Sequence, residues 1–373
     1  MSQEGNAQVM QVDKRERIVN PNMVILARES CGLSQKALAE KLKIPQSRIS
    51  MIEMGLRPVP KALLAQLVEV LDYPEHFYYQ EGPLYGVGVT EVFHRKRRNV
   101  PKSTLARVYA LMEIRLRHVT ALLRSLDVSC EIPQFDPEEL TSKAESKSRV
   151  ADIARAVRAH LQLPRGPIDD LTQVLEEAGA IVIAFEFGTP LIDAVSRWLP
   201  TLPPVFFDNQ QSPKDRYRFS LAHELGHVVM HAQAGPDMEE QADWFASEFL
   251  LPEREIRHDL RDLTLYKLTA LKRYWKVSMA AILMRAQDLG AITPNQARYL
   301  WMQMAKAGYR TREPVELDVT GEQPRLLREL IETHVDELDY TEDDLGKILP
   351  LKPDKLHSWY LDDQTRPWLH AVH

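Results

Sequence analysis

Only two cysteines, Cys31 and Cys130, occur in the 373 residues. They lie far apart, each in a helical pattern, which excludes a disulfide framework and predicts reduced thiols in a core. No apolar run reaches the roughly 18 residues of a membrane span, and the polar N-terminus has no signal-peptide core. The expectation is a soluble, cytoplasmic chain with no membrane partner. Low-complexity tracts and internal repeats are missing as well. What the sequence has instead is 44% hydrophobic beside 27% charged residues, enough at this length for two to three domains with cores of their own. Its net charge of −6 hides an asymmetry, since residues 1–125 carry +7 and the remainder −13. A basic front on an acidic chain points to a polyanion partner at one end.

The most informative stretch is 213–251, which reads as two helices separated by a short Gly-Pro turn. Ser212, Pro213 and Asp215 form a helix start, with a hydroxyl cap, a proline at the first helical position and an acid in the first turn. His223 and His227 follow on one face, four residues apart, so both imidazoles can reach one tetrahedral Zn²⁺. Glu224 sits beside them without being a ligand, where it can take a proton from an activated water, the base of an H-E-x-x-H arrangement.

Zinc needs a third protein ligand, and the second helix offers Glu239 and Glu240. Asp237 and Glu240 have capping-box spacing, which gives Glu240 a structural task. Glu239 shares a stripe with Ala242, Asp243 and Ala246, small residues that let the helices approach. That favours Glu239 as ligand and Asp243 as the outer acceptor of a ligand histidine's second N–H, with Glu240 as the alternative. His231 lies roughly 80° around and about 12 Å along the helix from His223, so it reads as a helix-end histidine beside the C-terminal dipole. Tyr217, Arg254 and His258 are candidates for stabilising an oxyanion.

These residues carry a resemblance. R-F-S-L-A-H-E-L-G-H-V-V-M-H followed by E-E-Q-A-D-W-F-A-S-E-F-L-L-P resembles the ImmA/IrrE family of gluzincin-type zinc peptidases, over roughly residues 168–290. The resemblance implies a zinc endopeptidase that cuts a repressor-type protein in phage or stress control. By matching position it gives His223, His227 and Glu239 as ligands and Glu224 as base; Asp243 stands where the family often has Asn.

Residues 20–80 read as short helices with helix-turn-helix grammar: Ser34 caps the second, Ala39 marks its tight crossing, and Ile44 and Ile49 fill a small core. They resemble the XRE class of phage repressor and Cro domains. That likeness implies a double-stranded DNA operator, with the helix that opens at Pro45 in the major groove. Carried over by position, Gln46 and Ser47 touch base edges while Gln35, Arg48 and Arg57 hold phosphates. Met51 and Met54 depart from the polar residues usual in the class, so fewer direct base contacts are expected.

Between these regions, 86–93 reads as a short strand or extended link and His94 to Arg98 as a basic run able to add phosphate contacts. An amphipathic helix over 102–127, with Leu105, Val108, Leu111, Met112, Leu116, Val119, Leu122 and Leu123 on one stripe, needs a partner, either the peptidase domain or a second copy in a homodimer. Helices near 146–161 and 167–178 precede three short strands. Helices return after Pro252, a strand-capable link spans Thr311 to Pro324, and the acidic tail faintly echoes a helix-turn-helix, with His334 at its surface. The expected fold is α+β and mostly helical: a helix-turn-helix bundle at 15–82, a linker and possible dimerisation helix at 83–145, a gluzincin-like peptidase domain with a short sheet at 146–310, and a small helical module at 311–373. An alternative function is a transcription factor whose peptidase-like domain serves as a non-catalytic sensor or dimerisation module.

Overall fold

A computed structural model describes residues 18–82, 84, 100–126, 128–135, 143–212, 214–231, 235, 237–310, 312–317 and 322–361. The strand expected over 86–93 and the basic run from His94 lie outside them.

Local chemistry sets the first helices. Pro21 opens α1 (Pro21–Ser30), and Asn20 accepts from the Asn22 N–H. In α2 (Gln35–Leu42) the Ser34 side chain accepts from the Ala37 N–H, and Lys43 ends the helix in the left-handed region at φ 54°. Pro45 cannot continue that turn as a helical residue with a free N–H, so the chain restarts as α3 (Gln46–Glu53). The apolar helix α4 (Lys61–Leu71) and a 3₁₀ turn at Glu75–Tyr79 close the bundle. Ala39, Ile49, Ile52 and Leu67 are buried in it, with Ile44 packed at the margin.

The long helix α5 (Lys102–Leu122) departs from expectation. Its middle is enclosed on almost every side, including the polar Glu113, Arg115 and His118. It packs on α1 and on the helices α14 and α15 described below. The Arg115 guanidinium lies 4.2 Å from the Phe185 ring and 3.9 Å from the Trp359 ring. A cation stacked between two aromatic faces keeps its charge in a buried place without a carboxylate. The partner of this helix is therefore the chain itself.

Next come α6 (Lys143–His160) and α7 (Leu171–Glu177). The strands β1 (Ile181–Phe185), β2 (Ala194–Arg197) and β3 (Val205–Asn209) form a sheet in the order β1-β3-β2, with β1 parallel and β2 antiparallel to β3. Strand alternation then divides two cores. Ile181, Ile183, Val195, Val205 and Phe207 join the core of α1–α5, whereas Val182 and Phe206 join the core of the helices on the sheet's second face. Apolar residues face both ways, which is why β1 and the first half of β3 read as hydrophobic runs.

The helices on the second face are α8 (Lys214–Met230), α9 (Met238–Leu250), α10 (Glu253–Ile256), α11 (Leu265–Trp275), α12 (Met279–Asp288) and α13 (Pro294–Lys306). The expected link after Thr311 is pinned twice by buried carboxylates. Glu313 accepts from Lys272 and from the first N–H groups of α12; Glu322 pairs with Arg218 at 2.9 Å. No strand occurs there among the described residues.

The tail forms α14 (Leu326–Asp336), α15 (Glu342–Ile348) and α16 (Pro353–Leu356), the last continuing as a π turn through Leu361. It folds back onto the first bundle. Lys352 and Lys355 pair with Asp72, the Gly346 carbonyl lies 2.9 Å from His76 Nε2, and the Tyr360 hydroxyl lies 2.7 Å from His118 Nδ1. His334 is fully buried between Leu330 and Ser125 instead of at the surface. The free cysteines correct the sequence reading in the opposite sense, since Cys31 and Cys130 both lie at the surface.

Asp208 on β3 supplies a pH test. Burial, then repulsion from Asp193, pushes its carboxyl up to about 7 from 3.8. A folded-state value above the unfolded one means that its contribution is fully present below the unfolded pKa and is lost as pH rises through about 7. Between about pH 4 and pH 8 this group should lower unfolding free energy by up to about 4 kcal/mol. Asp208→Asn should flatten that loss in urea titrations at the two pH values; an unchanged pH dependence would remove Asp208 as its source.

Candidate metal centre

One helix–helix contact builds the centre. Gly226 faces Phe245, and a Cβ at that glycine would stand 3.1 Å from the ring. The missing side chain lets α8 and α9 close on each other, with Ala242 and Ala246 fully buried between them. His223 and His227, one turn apart on α8, are thereby brought against Glu239 in the first turn of α9.

The three donor groups converge. His223 Nε2 and His227 Nε2 are 3.1 Å apart, Glu239 Oε1 is 3.3 Å from His227 Nε2, and Glu239 Oε2 is 3.8 Å from His223 Nε2. Ligand atoms about 2.0–2.1 Å from a tetrahedral Zn²⁺ stand roughly 3.3 Å from one another. The tautomers agree. Asp243 Oδ1, 2.8 Å from His223 Nδ1, fixes the proton there. His227 Nδ1 faces His231 Nδ1 at 2.9 Å, and His231 Nε2 faces Gln241 Oε1 at 2.8 Å. The amide oxygen accepts from His231 Nε2–H, which leaves His231 Nδ1 to accept from His227 Nδ1–H. Both ligand Nε2 atoms thus present lone pairs to each other. Two lone pairs and a carboxylate that converge so closely repel unless a cation lies among them, so the donor set fits Zn²⁺. Burial, its largest influence, holds His227 below the ordinary imidazole value and pushes His231 down to about 4, which keeps both rings neutral as metal ligation requires.

Two sequence expectations change here. Asp237 precedes α9 with φ −104° and ψ 3°, and its side chain makes no cap hydrogen bond. A capping side chain needs extended backbone to turn back on the helix, so no capping box forms with the exposed Glu240. His231 stands at the end of α8 as read, but its ring is held between His227 and Gln241, partners that its place at the helix end does not give.

Glu224 is 2% exposed. Its Oε2 accepts from the Ser196 N–H at 2.8 Å and from the Ser196 hydroxyl at 2.6 Å. Sequence reasoning missed Ser196. The signal was a hydroxyl between Val195 and Arg197 in a strand buried along its whole length, where a polar group needs a partner. Of the oxyanion candidates, Tyr217 places its hydroxyl 2.6 Å from Thr172, and Arg254 and His258 are exposed.

At the other end of the chain, the residues expected to meet DNA lie around the turn between α2 and α3. Gln46, Ser47 and Arg57 are exposed, and Gln35 and Arg48 half-buried. A network missed in the sequence holds this surface. Glu53 accepts from Arg28 Nε at 2.6 Å and Nη2 at 3.0 Å and from Gln35 Nε2 at 2.8 Å, while Gln35 Oε1 accepts from Gln46 Nε2 at 2.7 Å. Met54 projects into solvent.

These features define a DNA-binding regulator that carries a peptidase-like domain. Residues 24–77 match the helix-turn-helix family profile, and residues 175–287 match that of the IrrE N-terminal-like domain. The chain is thus a fusion of an XRE-type helix-turn-helix domain with an ImmA/IrrE-like domain. No curated protein matches the chain. No helix among the described residues is long and apolar enough to cross a membrane.

Proposed function

We propose that the chain is a cytoplasmic, DNA-bound regulator whose central domain is a zinc endopeptidase acting on a repressor-type protein. The observation that carries this reading is the convergence of two imidazole lone pairs and the Glu239 carboxylate, with the Glu224 carboxylate one residue from the first ligand. His223, His227 and Glu239 hold the metal, and Asp243 orients His223. Bound there, Zn²⁺ would polarise a scissile carbonyl and acidify a water. Glu224 receives the proton of the attacking water and returns it to the departing amine. Gln46 keeps its carbonyl and a second N–H, the pair that reads adenine. Ser47 contacts a neighbouring base edge, and Gln35, Arg48 and Arg57 fix the register on phosphates. A twofold homodimer on a symmetric operator suits such a reader.

A second reading, a sensor without turnover, draws support from Glu224 itself. Its carboxylate is enclosed and engaged by Ser196, and the β2 edge that could receive a substrate strand is buried. Bound metal per chain, measured by elemental analysis, tests the site common to both. About one zinc is expected in the parent, lost in His227→Ala and Glu239→Ala and kept in Glu240→Ala. Zinc that survives Glu239→Ala but not Glu240→Ala would give the ligand role to the other acid. A parent without tightly bound metal would remove the peptidase.

A further inference from the structure

His231 lies outside the chemistry assigned above, yet it is tied more closely to a ligand than any other group at the centre apart from Asp243. The two ligand histidines are supported differently. His223 gives its Nδ1–H to Asp243, whose side chain is 55% exposed, so water shares the carboxylate's charge. His227 is 1% exposed, and a carboxylate beside it would be a buried charge that costs several kcal/mol. A neutral imidazole can accept the same hydrogen bond without that penalty. It does so only in one tautomer, and something must fix it.

We propose that His231 and Gln241 form a positioning relay that fixes the orientation and tautomer of His227 and thereby sets zinc affinity. The inference rests on the reading of His223, His227 and Glu239 as the metal ligands. The relay begins on another element: Gln241 Nε2 donates to Ser146 Oγ on α6 at 3.3 Å. This leaves Gln241 Oε1 to face His231. The amide oxygen takes the Nε2–H of His231 at 2.8 Å, and His231 Nδ1 takes the Nδ1–H of His227 at 2.9 Å. His227 Nε2 is then an unprotonated donor aimed at the other two ligands. Spacing alone hides this arrangement. His231 is too far along the helix to ligate, but i and i+4 side chains stack, so it is well placed to support the ligand one turn before it. Gln241 follows the ligand acid Glu239 by two residues in α9, which puts the far end of the relay on the same helix as the third ligand.

The test is chelator-competition measurement of zinc affinity on the full-length chain, with thermal unfolding of the metal-free protein alongside. His231→Leu removes acceptor and donor and should weaken zinc roughly 10- to 100-fold. His231→Gln is the rescue: its amide oxygen can accept from His227 and its N–H₂ can donate to Gln241, so affinity should stay within about threefold of the parent. Gln241→Leu, on a separate helix, should also weaken zinc and stands in if His231→Leu proves poorly folded. Parent-like zinc affinity in both leucine variants would overturn the relay. Equal losses in His231→Leu and His231→Gln would overturn it too, by assigning His231 a packing role. A parent that takes up no zinc fails before any variant is compared, and brings down the metal site with the relay.

Discussion

Glu224→Gln is expected to bind zinc as the parent does and to lose peptide-bond cleavage by a factor of ~10²–10⁴, the usual span of a general base. The substitution is well suited to the site. Both Ser196 donors point at one oxygen of Glu224, and the glutamine amide keeps an oxygen that can accept both, so the packing of α8 on β2 is preserved. His223, His227 and Glu239 are untouched. What disappears is the group that can hold a proton between attack and departure of the amine. The measurement is cleavage of the candidate repressor by parent and variant at equal zinc content. Equal cleavage would take the base role from Glu224. Gene control that continues unchanged in a zinc-loaded, cleavage-dead variant would instead favour the sensor reading and make turnover irrelevant to regulation.

Glu53→Leu should lower the stability of the DNA-reading bundle by about 3–5 kcal/mol, because it strands a buried guanidinium. The Arg28 and Glu53 side chains are 9% and 5% exposed and pair at 2.6 Å. Without Glu53, Arg28 retains the Leu33 carbonyl and the more accessible Glu29, which satisfy part of its hydrogen bonding but leave most of its charge uncompensated. The same carboxylate holds Gln35, and Gln35 holds Gln46. Operator binding should therefore fall further than the fraction unfolded accounts for. Urea titration of the variant and a DNA titration at fixed salt separate the two effects. A stability change under about 1 kcal/mol would show that the pair is better solvated than its burial indicates.

The destabilisation should not stop at the bundle. The core containing Ile49 and Leu67 runs without a break through α5 to one face of the sheet and to the tail helices, and only alternation along β1–β3 separates it from the core beneath the metal centre.

Sequence by itself determined what depends on spacing and on local backbone chemistry. The four-residue spacing of His223 and His227 puts them on one face of any helix, Ser34 could cap only the helix that follows it, and Pro45 marked a start because proline has no N–H to give. The apolar run at 181–185 marked a buried strand through its composition alone. Tertiary structure decided the partners. Periodicity shows that a face is apolar but not what covers it, so α5 read as a helix that needed either the peptidase domain or a second copy, when α1, the sheet and the tail more than 200 residues on already enclosed it. Burial of Arg115 and His118 within α5 left no periodic trace. The relay from Ser146 through Gln241 and His231 to His227, and the grip of Ser196 on Glu224, link residues on different elements. Their hydrogen bonds exist only because packing first removed water from both partners. The same close approach of α8 and α9 at Gly226 put Glu239 beside the histidines and left Glu240 in solvent, where the stripe of Ala242, Asp243 and Ala246 had favoured Glu239 without excluding its neighbour.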